Sequence, residues 1–207
     1  MFKDHPIFID SINFIRSKLT ENNFNQIETN VLERLVHTSG DFSIQSLLKF
    51  SKHACDHSMK AIISGAPILT DTDMAAVAIN SIAKNAHGNL VFSAKKWVED
   101  DIEYSSTKTA YGIEKGWLEL SKLYRENLSP IVIFGSSPTG LEKLLDILEE
   151  SNQHPSLIVG MPVGFIGVEK SKKRLIESDH NYIVLESTRG GAAMAAAAIN
   201  ALLRSTF

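Results

Sequence analysis

One cysteine in 207 residues, Cys55, has no partner for an intramolecular disulfide, so the chain is expected to rely on its core and to work in a reducing, cytoplasmic setting. No apolar run approaches the roughly 20 residues needed to span a bilayer. The opening segment MFKDHPIFIDSINF carries charges through its apolar positions, which argues against a targeting signal. Nor is there a basic excess: 21 Lys and Arg against 24 Asp and Glu give a net charge of -3, which provides no field for general nucleic-acid binding. The acidic run Glu99-Asp100-Asp101 is too short for an interaction tail and reads as a solvated face. The 6 prolines are scattered, and no repeat, low-complexity tract or linker marks a boundary, so residues 1–207 are expected to form one domain.

What is present is alternation. From Pro67 onward, apolar runs of strand length (Ala66 to Leu69, Leu90 to Phe92, Ile131 to Phe134, Leu157 to Val159, Tyr182 to Leu185) are separated by longer helical segments. Continuously apolar strands belong in a mostly parallel sheet covered on both faces, so the expected fold is a three-layer α/β/α arrangement around a five-stranded, Rossmann-like sheet. Ahead of it, residues 1–65 read as a helical region packed on the 66–207 core. Pro6 suits a first helical turn, with Ile12, Ile15 and Leu19 following at helical spacing. A second helix is predicted from about Gln26 to Thr38, burying Ile27, Val31 and Leu35 and stopping at Gly40.

Ligands of open parallel sheets sit outside the carboxyl ends of the strands. Here those positions are Thr70-Asp71-Thr72, Ser93, Gly135 to Thr139, Gly160 to Gly164 and Ser187 to Gly191. Gly135 to Thr139 follows a strand and opens a helix, a place where amides can cradle an anion. It is neither a GxGxxG nor a Walker loop, so nucleotide binding has little behind it and a plain strand-to-helix turn fits as well. On the second helix, at about 100° per residue, His37 falls opposite the buried stripe and shares its face with Asn30, Glu33 and Arg34. It sits in the last turn, where the helix dipole attracts positive charge, a setting suited to a proton donor and equally to an ordinary surface histidine. His53 and His57 have the spacing of a metal clip, but no further ligands are evident. Cys55 lacks an activating partner and no nucleophile elbow appears, which disfavours covalent catalysis. Arg34, Lys108, Arg189 and the Lys170 to Arg174 cluster are candidates to converge on carboxylates, the cluster fitting a solvated helix face as well.

The segments Arg34-Leu35-Val36-His37-Thr38-Ser39-Gly40-Asp41, Gly65-Ala66-Pro67-Ile68-Leu69-Thr70-Asp71, Gly135-Ser136-Ser137-Pro138-Thr139 and Gly160-Met161-Pro162-Val163-Gly164-Phe165-Ile166-Gly167, followed by Glu169-Lys170-Ser171-Lys172, resemble the precorrin-8X methylmutase family in order and spacing. The resemblance implies an isomerase of cobalamin biosynthesis that moves a methyl group from C-11 to C-12 of precorrin-8X, or of cobalt-precorrin-8, to give hydrogenobyrinate or cobyrinate. It also implies a homodimer acting on a corrinoid, with no separate organic cofactor; that neither a metal, a nucleic acid nor a membrane is a partner, and that the setting is cytoplasmic, are expectations from the charge, hydropathy and cysteine usage above. Carried over by position, His37 matches the catalytic acid, while Ser11, Arg34, Asp71, Lys108, Ser136, Thr139 and Arg189 match substrate-binding places. Lys108, Ser136 and Ala192 differ from the residues usual in the family. Those differences keep a second reading in view, a corrinoid-binding or product-carrying protein without catalysis.

Overall fold

The computed structural model describes residues 5–99, 106–123 and 128–207. Asp100 and Asp101 of the acidic run lie outside the described residues. The chain begins with helix α1 (Pro6–Lys18), whose Pro6 stands in the first turn, and α2 (Gln26–Ser39). Both ends of α2 are capped by its own sequence. Asn25 accepts from the Ile27 and Glu28 amides while Glu28 reaches back to the Asn25 amide, and Gly40 closes the helix in the left-handed region at φ 67°.

The core is a six-stranded sheet in the order β1-β6-β5-β4-β2-β3, built from β1 (Leu48–Phe50), β2 (Ile68–Thr70), β3 (Val91–Ser93), β4 (Ile131–Phe134), β5 (Leu157–Gly160) and β6 (Tyr182–Leu185). Five strands are parallel, as expected. The sixth, β1, lies within the stretch read as helical and pairs antiparallel with β6, Leu48 opposite Leu185. Three residues carry no periodicity to read, and the open edge of β6 recruits them into the sheet.

Alternate residues of each strand face opposite layers. Ile131, Ile133, Leu157, Val159, Ile183 and Leu185 join the core beneath α2, α3 (Ala54–Ile63), α4 (Asp73–Ala86) and α8 (Ala192–Arg204). Val132, Phe134, Ile158 and Val184 join the core beneath α5 (Lys108–Leu123), α6 (Pro138–Glu149) and α7 (Val168–Ile176). Buried Ala195 to Ala198 let α8 approach α2 and α4 closely, and Asn200 Nδ2 donates to the Ala78 carbonyl at 3.0 Å.

The chain runs from β2 outward to β3, then crosses back to β4 and continues through β5 to β6. The strand order therefore reverses between β2 and β4, and the carboxyl ends of those strands form the crevice of the sheet. No helix among the described residues is long and apolar enough to cross a membrane.

Candidate functional site

The candidate residues fall into two groups and one outlier. The first group lies where α1 crosses the end of α2. His37 occupies the last turn of α2 and is exposed, and its Nδ1 lies 3.0 Å from Ser11 Oγ on α1. The Phe8 ring, one turn before Ser11, meets the His37 ring edge-on at 5.2 Å, and the Arg34 guanidinium lies 4.9 Å from the Phe8 centroid. A serine hydroxyl both donates and accepts, so Ser11 can hold the imidazole in one orientation whether Nδ1 carries a proton or not. The other nitrogen, Nε2, is then the one left to exchange a proton.

The face shared by His37 is not uniformly open, as its helical angle implied. Glu33 is 3% exposed because α1 lies over it, and Arg16 reaches across from α1 to bind both of its oxygens, Nε to Oε1 at 2.6 Å and Nη2 to Oε2 at 2.9 Å. The Glu33 carboxylate in turn holds the Arg16 guanidinium above its ordinary pKa. This bidentate pair ties α1 to α2 and so maintains the Ser11–His37 distance.

The second group occupies the crevice between β2 and β4. Asp71 follows β2 and is buried, and its Oδ2 accepts the amides of Gly135, Ser136 and Ser137 at 3.0, 2.6 and 2.8 Å. The anion cradle read in the Gly135 loop therefore exists, but the chain fills it with its own carboxylate. Burial raises the pKa of Asp71, and the three amides work against that shift. Its other oxygen, Oδ1, is buried and has no hydrogen-bond partner among the described residues. Asp71 lines a cavity of about 330 Å³ together with Thr72, Lys95 and Lys108, which opens α5. Ser136 and Thr139 are exposed at the start of α6, and Thr139 Oγ1 lies 2.8 Å from Thr107 Oγ1.

Arg189 belongs to neither group. Its guanidinium is bonded to Asp41 and, at 2.5 Å, to Ser43 Oγ, which ties the loop after β6 to the segment after α2. The basic cluster on α7 does not converge on a ligand either. Lys172 is 1% exposed and its Nζ donates to the Ser187 and Arg189 carbonyls at 2.7 and 2.6 Å, while burial brings its pKa down to about 8. Arg174 binds Glu142, Asp146 and Glu149 on α6. Lys172 thus braces a loop in which Ser187 has φ 68° and Gly190 lies so close to the next strand loop that a Cβ there would fall 2.0 Å from the Met161 carbonyl oxygen.

The histidine clip does not form. The His53 and His57 rings are 6.3 Å apart, His53 faces Asp56, and His57 Nδ1 lies 3.3 Å from Asn181 Oδ1. Among the described residues no group of three or more metal-ligating side chains is placed to hold an ion. Three residues close to the site escaped the sequence reading. Phe8 was legible, three positions before Ser11 on one helical face. Lys95 and Arg204 had no local signal, because only tertiary contacts bring them in.

Comparison with known proteins bears on this arrangement. The family model described as "Precorrin-8X methylmutase" matches residues 6–205. The chain is 30% identical to a precorrin-8X methylmutase of Sinorhizobium sp, across 97% of this chain and 94% of that protein. It is 27% identical to a cobalt-precorrin-8 methylmutase of Leptospira interrogans, across 93% and 90%. The crystal structure of a precorrin-8x methyl mutase from Thermus thermophilus superposes with a TM-score of 0.86 at 29% identity, covering 97% of this chain and 95% of that one. With nearly its whole length matched in sequence and fold, the chain belongs to the precorrin-8X methylmutase family of isomerases.

Proposed function

We propose that this enzyme moves the methyl group from C-11 to C-12 of precorrin-8X, or of its cobalt-containing counterpart, with His37 as general acid. The observation that carries the reading is the exposed His37 ring, held at 3.0 Å by Ser11 and met edge-on by Phe8, whose ring Arg34 also approaches, in a chain of this family. The migration needs no nucleophile and no net redox change. A proton placed on a ring nitrogen withdraws electron density and weakens the bond to the migrating methyl group. The methyl then bonds to C-12, and a proton leaves as conjugation is re-established, so the product is an isomer of the substrate.

Ser11 orients the acid, Arg34 meets a substrate carboxylate, and Arg189 acts by fixing the loop after β6 against Asp41. At the crevice, Lys108 is the cation for a further carboxylate, with Asp71, Ser136 and Thr139 shaping the wall around it. General acid catalysis contributes about 10²- to 10⁴-fold, and binding the macrocycle in one conformation supplies the rest.

The working form is proposed to be a cytoplasmic homodimer. Val163, Phe165 and Ile166 after β5 are exposed, Phe165 by 89% and Ile166 by 88%, as are Met74 and Val77 at the start of α4. Apolar surface of this kind calls for a covering partner, and sedimentation equilibrium at micromolar protein should give twice the chain mass.

The decisive experiment for the acid is the His37→Ala variant, which should fold, bind the corrinoid and lose turnover by about 10²- to 10⁴-fold, followed through the change in the visible spectrum. Turnover at the wild-type rate would remove the acid role. Tight product binding by a wild type that converts neither substrate form would point instead to a carrier.

A further inference from the structure

At the end of the sheet opposite the crevice, two histidines meet across neighbouring loops. His154 stands in the loop from α6 to β5 and His180 in the loop from α7 to β6, and their Nδ1 atoms lie 3.2 Å apart. We infer that this pair is a two-pronged clip for a divalent transition-metal ion such as zinc, which joins the starts of β5 and β6. The inference is independent of the methylmutase reading and draws on none of its residues.

The spacing fits an ion held between the rings. Bonds from zinc to imidazole nitrogen are about 2.0–2.1 Å long, and two of them at a tetrahedral angle put their nitrogens about 3.3 Å apart. Here Nδ1 to Nδ1 is 3.2 Å, with the ring centroids 5.2 Å apart and the planes inclined by 51°. Where no ion is bound, one neutral ring donates to the other, and an ion takes the place of that shared proton once both rings carry theirs on Nε2. The two loops are also fixed to each other. Strands β5 and β6 pair in parallel, and the Ile158 amide donates at 2.8 Å to the carbonyl of Asn181, the neighbour of His180. Ser129 Oγ donates to the His154 carbonyl, Ser156 Oγ donates to the Ser129 carbonyl at 2.6 Å, and Asn181 Nδ2 donates to the Ser156 carbonyl at 3.4 Å. Ligands carried on braced backbone need little rearrangement to converge on one ion.

Charge and access agree with the spacing. Burial and the neighbouring His154 hold the His180 ring below its ordinary pKa, while Asp179 and Glu149 act on it in the sense that favours positive charge; Glu149 is also bound by Arg174 at 2.8 Å. His154 is exposed and lines a cavity of about 530 Å³ with His57, Lys60, Ser64 and Asn181, wide enough for a hydrated ion to enter. Among the described residues no third ligating side chain joins the pair, so water fills the remaining positions. His53 and His57 offer no equivalent, with rings 6.3 Å apart and His57 Nδ1 facing Asn181 Oδ1 at 3.3 Å.

The test is isothermal titration of the tag-free, full-length protein with ZnCl2 near neutral pH. The wild type should take up one zinc ion per chain, and Kd should rise at least about 10-fold in His154→Asn and again in His180→Asn, since losing even a residue that supports a metal ligand costs that much. His57→Asn, at the edge of the same cavity, should bind zinc as the wild type does. At a zinc concentration of 100 Kd the wild-type melting temperature should rise by roughly 5–10 °C, a rise absent from the two clip variants. If either variant fails to fold, long-range 1H–15N spectra of the wild type decide the matter: of the 7 histidine rings, only His154 and His180 should show Nδ1 signals that move on adding zinc. Absence of zinc uptake by the wild type overturns the assignment. So does a Kd that stays within twofold in either variant, or a zinc response centred on another histidine such as the exposed His37.

Discussion

Replacing Asp71 by alanine is expected to be among the most damaging single changes outside the apolar core, and the structure sets the size of the effect. The carboxylate accepts three successive amides at the start of α6, two of them in buried surroundings, and water has little access because Asp71 is 4% exposed. An amide left without a partner in such a place costs about 1–3 kcal/mol, so three set a ceiling near 9 kcal/mol. The loss is smaller than that ceiling because removing the side chain also removes a carboxylate whose burial raises its pKa, and because a water molecule can enter the vacated space. The expected net destabilisation is about 3–5 kcal/mol, at the upper end for single substitutions. Asp71→Asn keeps an oxygen to accept the amides and should cost less, about 1–2 kcal/mol. Urea unfolding followed by far-UV circular dichroism measures both, provided the slope m stays constant. An alanine variant within 1 kcal/mol of the wild type would show that the Gly135 loop does not depend on this carboxylate.

Two further outcomes concern buried titratable groups. Burial holds Lys172 at a pKa of about 8 in the folded chain, so between pH 8 and about 10.5 the unfolded chain binds the extra proton and stability rises with pH. Relative to Lys172→Met, the wild type should gain roughly 3 kcal/mol across that window in chemical denaturation, and a difference that stays flat with pH refutes the buried ammonium. Cys55 is 1% exposed and its thiol is pushed up to about 12 by burial, so it should resist a thiol reagent at pH 8 in the native state and react at once in denaturant; stoichiometric labelling of the native protein within minutes contradicts that placement.

The elements that could be read in advance are those whose signal is local. Asn25, Glu28 and Gly40 write both ends of α2 into adjacent residues, and the apolar runs before Gly135 and Gly160 mark β4 and β5 because both of their faces are covered. Strand β1 carries no local signal because its three residues become a strand only through the exposed edge of β6. Helical spacing alone puts Glu33 on the open face of α2, since the angle around α2 says nothing about α1 lying over it. The same limit applies to the basic residues. Arg34, Arg189 and Lys172 look alike in a sequence, yet one lies beside Phe8, one is bound to Asp41, and one is a buried brace whose partners are two carbonyls. Chemistry that depends on which residue faces which across the sheet, such as Asp71 meeting the amides 64 to 66 positions later, is settled by strand register alone.

That internal use of Asp71 has a consequence for where catalysis can reside. In an open parallel sheet the crevice at the reversal of strand order is the ordinary place for a ligand, and its amides are the ordinary means of holding an anion. Here those amides are satisfied by the chain itself, so the crevice gives up its capacity for phosphate and gains a rigid floor at the start of α6. On the proposed reading, a large polycarboxylate is bound by side chains around that floor. In that reading Arg34 beside Phe8 and the lysines near Asp71 serve this purpose. The proposed place of the acid on α2 is consistent with the same economy of space: the strand ends are filled by tightly interlocked loops, with a Cβ at Gly190 only 2.0 Å from a neighbouring carbonyl oxygen, whereas the end of α2 is exposed and braced by Arg16, Glu33 and Ser11. A proton donor there can meet the face of a macrocycle without disturbing the loops on which the sheet closes.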